Sequence, residues 1–216
     1  VSGPHYDQPE QLLRDADTAL YHAKAQGDGG HAVWDQPMQD EVGRQFELSQ
    51  QIHTALQRDE LRLMYQPIVE LATGRPTGCE ALMRWHQPER GLVSPAEFIP
   101  LAEETGAILT MGQWALRQSC QQLRAWDRRF QNKHPLYVSV NISPRQLAQP
   151  NFAEEVAAVF RETGITPDRV RFEITESAVV DDTGNAKRTL EQLHRLGVSL
   201  YMDDFGTGYA SLSQLY

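Results

Sequence analysis

From about Phe46 to Asp203 the hydrophobic pattern keeps changing period, and that alternation limits the folds open to the chain more than any other feature. Apolar residues at helical spacing predict four helices: Leu48, Ile52, Ala55 and Leu56; Ile108, Met111, Ala115, Leu123, Trp126 and Phe130; Phe152, Val156, Val159 and Phe160; and Ala186, Leu190 and Leu193. Between them lie short β-like runs at Leu61 to Val69, Gly78 to Trp85, Leu136 to Ile142, Val170 to Thr175 and Val198 to Asp203. The turn-rich Ala72-Thr73-Gly74-Arg75-Pro76 joins the first two runs. Thereafter strand and helix alternate, which favours a parallel β/α architecture over a bundle or a sandwich.

The beginning of the chain has a different rhythm. Residues 10 to 26 read as one helix, with Leu13, Ala16, Leu20 and Ala23 on a stripe and Gly27, Gly29 and Gly30 stopping it. A single helix cannot bury its own apolar face, so residues 1–35 are expected to be the tail of a domain whose body lies upstream. Residues 36–45, which include Asp35's polar neighbours Gln36-Pro37-Met38-Gln39-Asp40-Glu41, are read as a linker or linking helix, and residues 46–216 as the main domain. The first residue is Val, so the chain is expected to be a piece of something longer.

A formal charge of -9 argues against an extended basic surface, so polymeric nucleic acid is not an expected partner, although a local Arg can still grip a small phosphate. Cys79 and Cys120 are far apart and lack zinc spacing, which points away from a disulfide framework and towards a cytosolic setting. No apolar run approaches the roughly 20 residues that cross a bilayer. Membrane anchorage is left to segments upstream. His53, His86, His134 and His194 show no ligand spacing and are expected at the surface.

Side chains alternate faces along a strand. Val138, Val140 and Ile142 oppose Ser139, Asn141 and Ser143; Phe172 and Ile174 oppose Arg171, Glu173 and Thr175; Leu200 and Met202 oppose Tyr201 and Asp203; and Glu80, Leu82 and Arg84 share one face. With the apolar sides packed under helices, Glu80, Asn141, Glu173 and Asp203 are left to converge at strand ends, the position of the active-site mouth in a β/α barrel. Converging carboxylates repel, and a hard divalent cation is the simplest neutraliser. Asp204 and the glycine loop Phe205-Gly206-Thr207-Gly208 supply a further acid of the kind a two-metal site uses.

Six segments in order resemble the EAL domain of bacterial cyclic di-GMP phosphodiesterases. They are Tyr65-Gln66-Pro67-Ile68, Glu80-Ala81-Leu82-Met83-Arg84-Trp85, Phe98-Ile99-Pro100-Leu101-Ala102-Glu103, Val140-Asn141-Ile142-Ser143, Phe172-Glu173-Ile174-Thr175-Glu176-Ser177 and Asp203-Asp204-Phe205-Gly206-Thr207-Gly208. Leu12-Leu13-Arg14-Asp15-Ala16-Asp17-Thr18-Ala19-Leu20-Tyr21 with Ala23-Lys24 resembles the last helix of a GGDEF, or diguanylate cyclase, domain. The GGDEF signature itself is absent from the chain, so the resemblance assigns it no cyclase activity.

The EAL resemblance implies a modified TIM (β/α)8 barrel whose first strand runs antiparallel to the others. It implies hydrolysis of one phosphodiester bond of cyclic di-GMP to linear pGpG with Mg²⁺ or Mn²⁺. By matching position, Glu80, Asn141, Glu173 and Asp203 are metal ligands, with Asp204 at the second metal. Arg84 holds a phosphate, Gln66 and Leu82 help to seat the ligand, and Glu176 braces the glycine loop. Plainer roles stay open: Arg84 paired with Glu80, Gln66-Pro67 as a strand end, Glu176 as a helix cap, Asp203-Asp204 as a turn.

The implied partners are cyclic di-GMP, upstream GGDEF and sensor domains, and a second copy through the EAL domains. The family continues past the glycine loop with strands that carry a Lys assisting the water, an Asp, a Glu ligand and a late Gln. The chain ends at Tyr216 with about five of the eight strands of such a barrel. The expectation is an active parent and an inactive fragment, with a cyclic di-GMP receptor or a regulatory interaction domain as the alternatives.

Overall fold

The structure is a computed structural model that describes residues 8–25, 30–130, 135–175 and 184–203. The chain divides into two compact units, Val1–Gln51 and Ile52–Tyr216. In the first, helix α1 (Pro9–Ala25) buries Ala19 and leaves Leu13 and Leu20 exposed. Helix α2 (Gln36–Ala55) begins where the Asp35 carboxylate accepts a hydrogen bond from the Met38 amide at 3.0 Å. It runs without a break through positions 36–45 and ends in the second unit.

The second unit is built on a mixed sheet. Strand β1 (Leu61–Val69) and strand β2 (Pro76–Gln87) form an antiparallel hairpin, and the short β3 (Gly91–Val93) folds back on the far end of β2. Strands β4 (Tyr137–Ile142), β5 (Val170–Thr175) and β6 (Ser199–Asp203) follow in parallel, giving the order β1-β2-β4-β5-β6. The helices between them are α3 (Pro95–Thr105), α4 (Ala107–Phe130), the four-residue α5 (Pro144–Leu147), α6 (Phe152–Thr163) and α7 (Gly184–Leu196). This is a partial TIM-barrel-like α/β fold with its first strand antiparallel.

The alternation of side chains dictates which face meets the helices. Val138, Val140, Ile142, Phe172 and Ile174 are all at most 5% exposed and pack with Leu123, Phe152, Val156 and Leu193. At about 25 cal/mol per Å² this burial is the main stabilising term of the unit. A second centre closes the far end of β2, where the Trp85 indole N–H donates to the buried Glu60 carboxylate at 2.9 Å and its ring meets Phe98 edge-on at 5.9 Å.

Two features depart from the sequence reading. Glu80 is not at a strand end, because β2 continues to Gln87. Its parallel partnership with β4 stops at Ala81 and Val140, while the rest of β2 is held by β1 and β3. Helix α3 was also not anticipated. Pro95 sits in its first turn, where its missing N–H has no partner to lose, and Pro100 lies inside it.

Candidate active site at the open end of the sheet

The register brings four of the five expected metal-ligand positions to one face. Gln66 lies opposite Glu80, Glu80 opposite Ser139, Asn141 opposite Glu173, and Thr175 opposite Asp203. Every step is even, so all point to the same side of the sheet, away from the helix-covered core. The Asn141 amide donates to Glu80 Oε1 at 2.9 Å, bridging the place where β2 and β4 part. Asp204, Glu176 and the glycine loop lie outside the described residues.

The surroundings of Glu173 disfavour its ionised form. Burial pushes the Glu173 carboxyl above its ordinary range, and the nearby Glu80 and Asp203 push it the same way, while the Ser139 hydroxyl and the Arg171 guanidinium pull it down. Among the described residues no three acidic, histidine or cysteine side chains stand close enough to hold an ion as they are placed. The donors present are oxygens of Glu80, Asn141, Glu173 and Asp203, the kind hard cations take, and mutually repelling carboxylates suit a cation better than a neutral ligand.

Beyond Ala81 and Val140 the two strands diverge into a cleft of about 450 Å³. Leu82, Arg84, Asn141 and Glu173 are among its lining residues, with Ile99 and Glu103 of α3. Arg84 does not pair with Glu80; its guanidinium donates to the Met83 carbonyl at 2.8 Å. Gln66 is exposed beside Glu80, whereas Leu82 is half-buried. Burial raises the Glu103 carboxyl, and Arg145 partly offsets the shift.

Two groups escaped the sequence reading. Arg171 was placed on the polar face without a role; its guanidinium lies 3.3 Å from the Tyr137 ring centroid and 5.1 Å from that of Tyr201. That stack closes the face below the acidic layer with a fixed positive charge. Gln146, only 2% exposed, borders the cleft next to Asn141's strand. Its signal was the spacing Ser143-Pro144-Arg145-Gln146, a capping-box pattern.

A mixed sheet, parallel along β2-β4-β5-β6, with oxygen-bearing side chains gathered at one face is the frame of a barrel-type enzyme domain. The chain belongs to the EAL-domain family, whose model matches residues 49–216. Members of this family generally depend on a metal. The chain is 38% identical over 206 residues to the bifunctional diguanylate cyclase/cyclic di-GMP phosphodiesterase MucR of Pseudomonas aeruginosa, covering 95% of this chain and 30% of that protein. It is 37% identical over 215 residues to the cyclic di-GMP phosphodiesterase PdeR of Escherichia coli, covering 100% of this chain and 32% of that protein. A solved structure of the MucR phosphodiesterase in complex with cyclic di-GMP superposes with a TM-score of 0.72 at 38% identity, over 78% of this chain and 68% of that one. The chain spans about a quarter to a third of the length of the curated relatives it matches. Among the described residues no helix is long and apolar enough to cross a membrane.

Proposed function

We propose that this chain is the cyclic di-GMP-hydrolysing part of a longer signalling protein, cleaving one phosphodiester bond to give linear pGpG. The observation that carries the reading is the Glu80–Asn141 hydrogen bond at the point where β2 and β4 part, with Glu173 opposite Asn141 on the next strand. Glu80, Asn141, Glu173 and Asp203, with Asp204, hold Mg²⁺ or Mn²⁺. Bound there, the cations lower the pKa of the attacking water and stabilise charge developing on phosphate oxygens. Arg84 grips a phosphate through charge-assisted hydrogen bonds once its guanidinium turns from the Met83 carbonyl. Gln66 and Leu82 seat the dinucleotide, Leu82 by apolar contact and Gln66 by its amide. Glu176 braces the glycine loop. Water adds to phosphorus, the bond to the 3′ oxygen breaks, and that oxygen leaves as a hydroxyl, which gives pGpG its 5′ phosphate.

Residues 1–35 belong, on this reading, to a GGDEF domain. The match to the last helix of that domain and the alignment with MucR over 95% of the chain support it. A second reading, a receptor that binds cyclic di-GMP without consuming it, is supported by solved relatives that hold cyclic di-GMP. Chromatography of the intact protein incubated with cyclic di-GMP and Mn²⁺ separates the two. Formation of pGpG that disappears in Asn141→Ala supports hydrolysis; saturable binding with the dinucleotide intact supports the receptor. Absence of both binding and turnover sinks each reading.

A further inference from the structure

We propose that Gln146 is a positioning residue for Asn141, setting where β4 ends and so the height at which the Asn141 amide meets Glu80. The inference rests on the reading of Asn141 as a ligand. The β2–β4 ladder stops at Ala81 and Val140, so Asn141 is the first residue of β4 beyond that ladder. On its other side β5 holds it, through the Asn141–Glu173 and Ile142–Ile174 pairings. What fixes the strand end is the turn at Ser143.

That turn is closed reciprocally. The Gln146 main-chain N–H donates to Ser143 Oγ at 3.2 Å, and Gln146 Oε1 accepts from the Ser143 main-chain N–H at 3.1 Å. The four-residue α5 is too short for cooperative helix formation to hold it in place. An external stop is supplied by α4, where Gly112 faces the Gln146 amide. A Cβ at Gly112 would stand 2.6 Å from Gln146 Cδ and 2.8 Å from Oε1, contacts that real Cβ atoms do not make. The glycine admits the Gln146 side chain to a slot where it is 2% exposed, and the slot ties the end of β4 to a long helix. Gly112, Gln146, Ser143 and Asn141 all border the same cleft. A ligand aimed across a gap needs its supporting groups fixed to a fraction of an ångström, and this bracket does that for Asn141.

The test is a double-mutant cycle on the intact protein, read as Mn²⁺ binding by loss of the free ion's paramagnetic resonance signal. Asn141→Ala and Gln146→Met each weaken Mn²⁺ binding, Gln146→Met by about tenfold. The double variant binds no more weakly than Asn141→Ala alone, because Gln146 acts through Asn141. Ser143→Thr, which keeps the capping oxygen, binds as the parent does. Gly112→Ala, which displaces the Gln146 amide from outside the turn, reproduces Gln146→Met and replaces it in the cycle where Gln146→Met does not fold. A Gln146→Met effect of equal size in both backgrounds makes the residue structural and overturns the inference, leaving Asn141 a ligand. Unchanged affinity in Asn141→Ala overturns the ligand reading, and the positioning role with it.

Discussion

The two faces of β4 and β5 come from alternating residues of the same short segments, yet they carry opposite chemistry. The helix-covered face is apolar and closed: Val138 and Phe172 are 0% exposed. The other face gathers Asn141, Glu173 and, from β2, Glu80, where burial and the nearby Glu80 disfavour the charge of Glu173. The difference teaches that stability and function are divided residue by residue, so one face can tolerate repulsion because the other is well packed. The largest effect should follow from damaging the packed face. Phe172→Ala opens a cavity beside Phe152, whose ring centroid is 6.3 Å away, and should cost about 3–5 kcal/mol in urea unfolding. A loss below about 1 kcal/mol would mean that the packed face does not carry the stability of the sheet.

On the other face the sign changes. Glu173→Gln removes a charge that its surroundings disfavour, so the metal-free protein should be as stable as the parent or slightly more so. Mn²⁺ binding should weaken by more than about tenfold, since even groups that only support a ligand cost that much when lost. A Glu173→Gln protein that binds Mn²⁺ normally would remove the functional half of the comparison.

The open face is itself divided along its length. At its lower end Gly78 lies opposite Tyr137, and a Cβ there would stand 2.5 Å from the tyrosine ring, whose face Arg171 already covers. Gly78→Ala therefore overpacks this end and should cost about 1–3 kcal/mol, measured by thermal or urea unfolding. A neutral result would mean that the Tyr137–Arg171 stack gives way freely and that the polar face is open throughout.

Much of this division could be read from the sequence because period-2 alternation sorts residues by face without any knowledge of tertiary structure. Val138/Ser139/Val140/Asn141/Ile142 and Phe172/Glu173/Ile174 each state which side is core, and the paired register agrees with that sorting. What alternation cannot state is where a strand loses its neighbour. Glu80 was expected at a strand end and lies within β2, because the extension to Gln87 is stabilised by β1 and β3, pairings with no local signature. The α3 segment was hidden for the opposite reason: Pro100 is a strong local signal for breaking a helix, yet burial of Phe98, Leu101 and Ala102 outweighs it. Gly112 was invisible as well, since its use lies wholly in its approach to Gln146. The roles expected of Asp204 and Glu176 concern positions outside the described residues.

The smallest expected effect is a slope in pH. Burial, reinforced by Glu80 and Asp203, raises the Glu173 carboxyl above its ordinary range. In the unfolded chain the same group ionises near the ordinary glutamate value of about 4.3. Between that value and the raised one, the folded protein holds more protons than the unfolded chain, so stability falls as pH rises through the window and levels off above it. Glu103 shifts in the same direction but is present in both proteins when Glu173→Gln is compared with the parent, so the difference between their stability curves isolates Glu173. Metal-free urea titrations from below pH 4 to neutrality should show the variant gaining on the parent across the window and the gap constant beyond it. A difference that shrinks with rising pH would mean that the folded chain favours the ionised carboxylate even without a cation, and the contrast between a stabilising face and a repulsive one would then be wrong at its central residue.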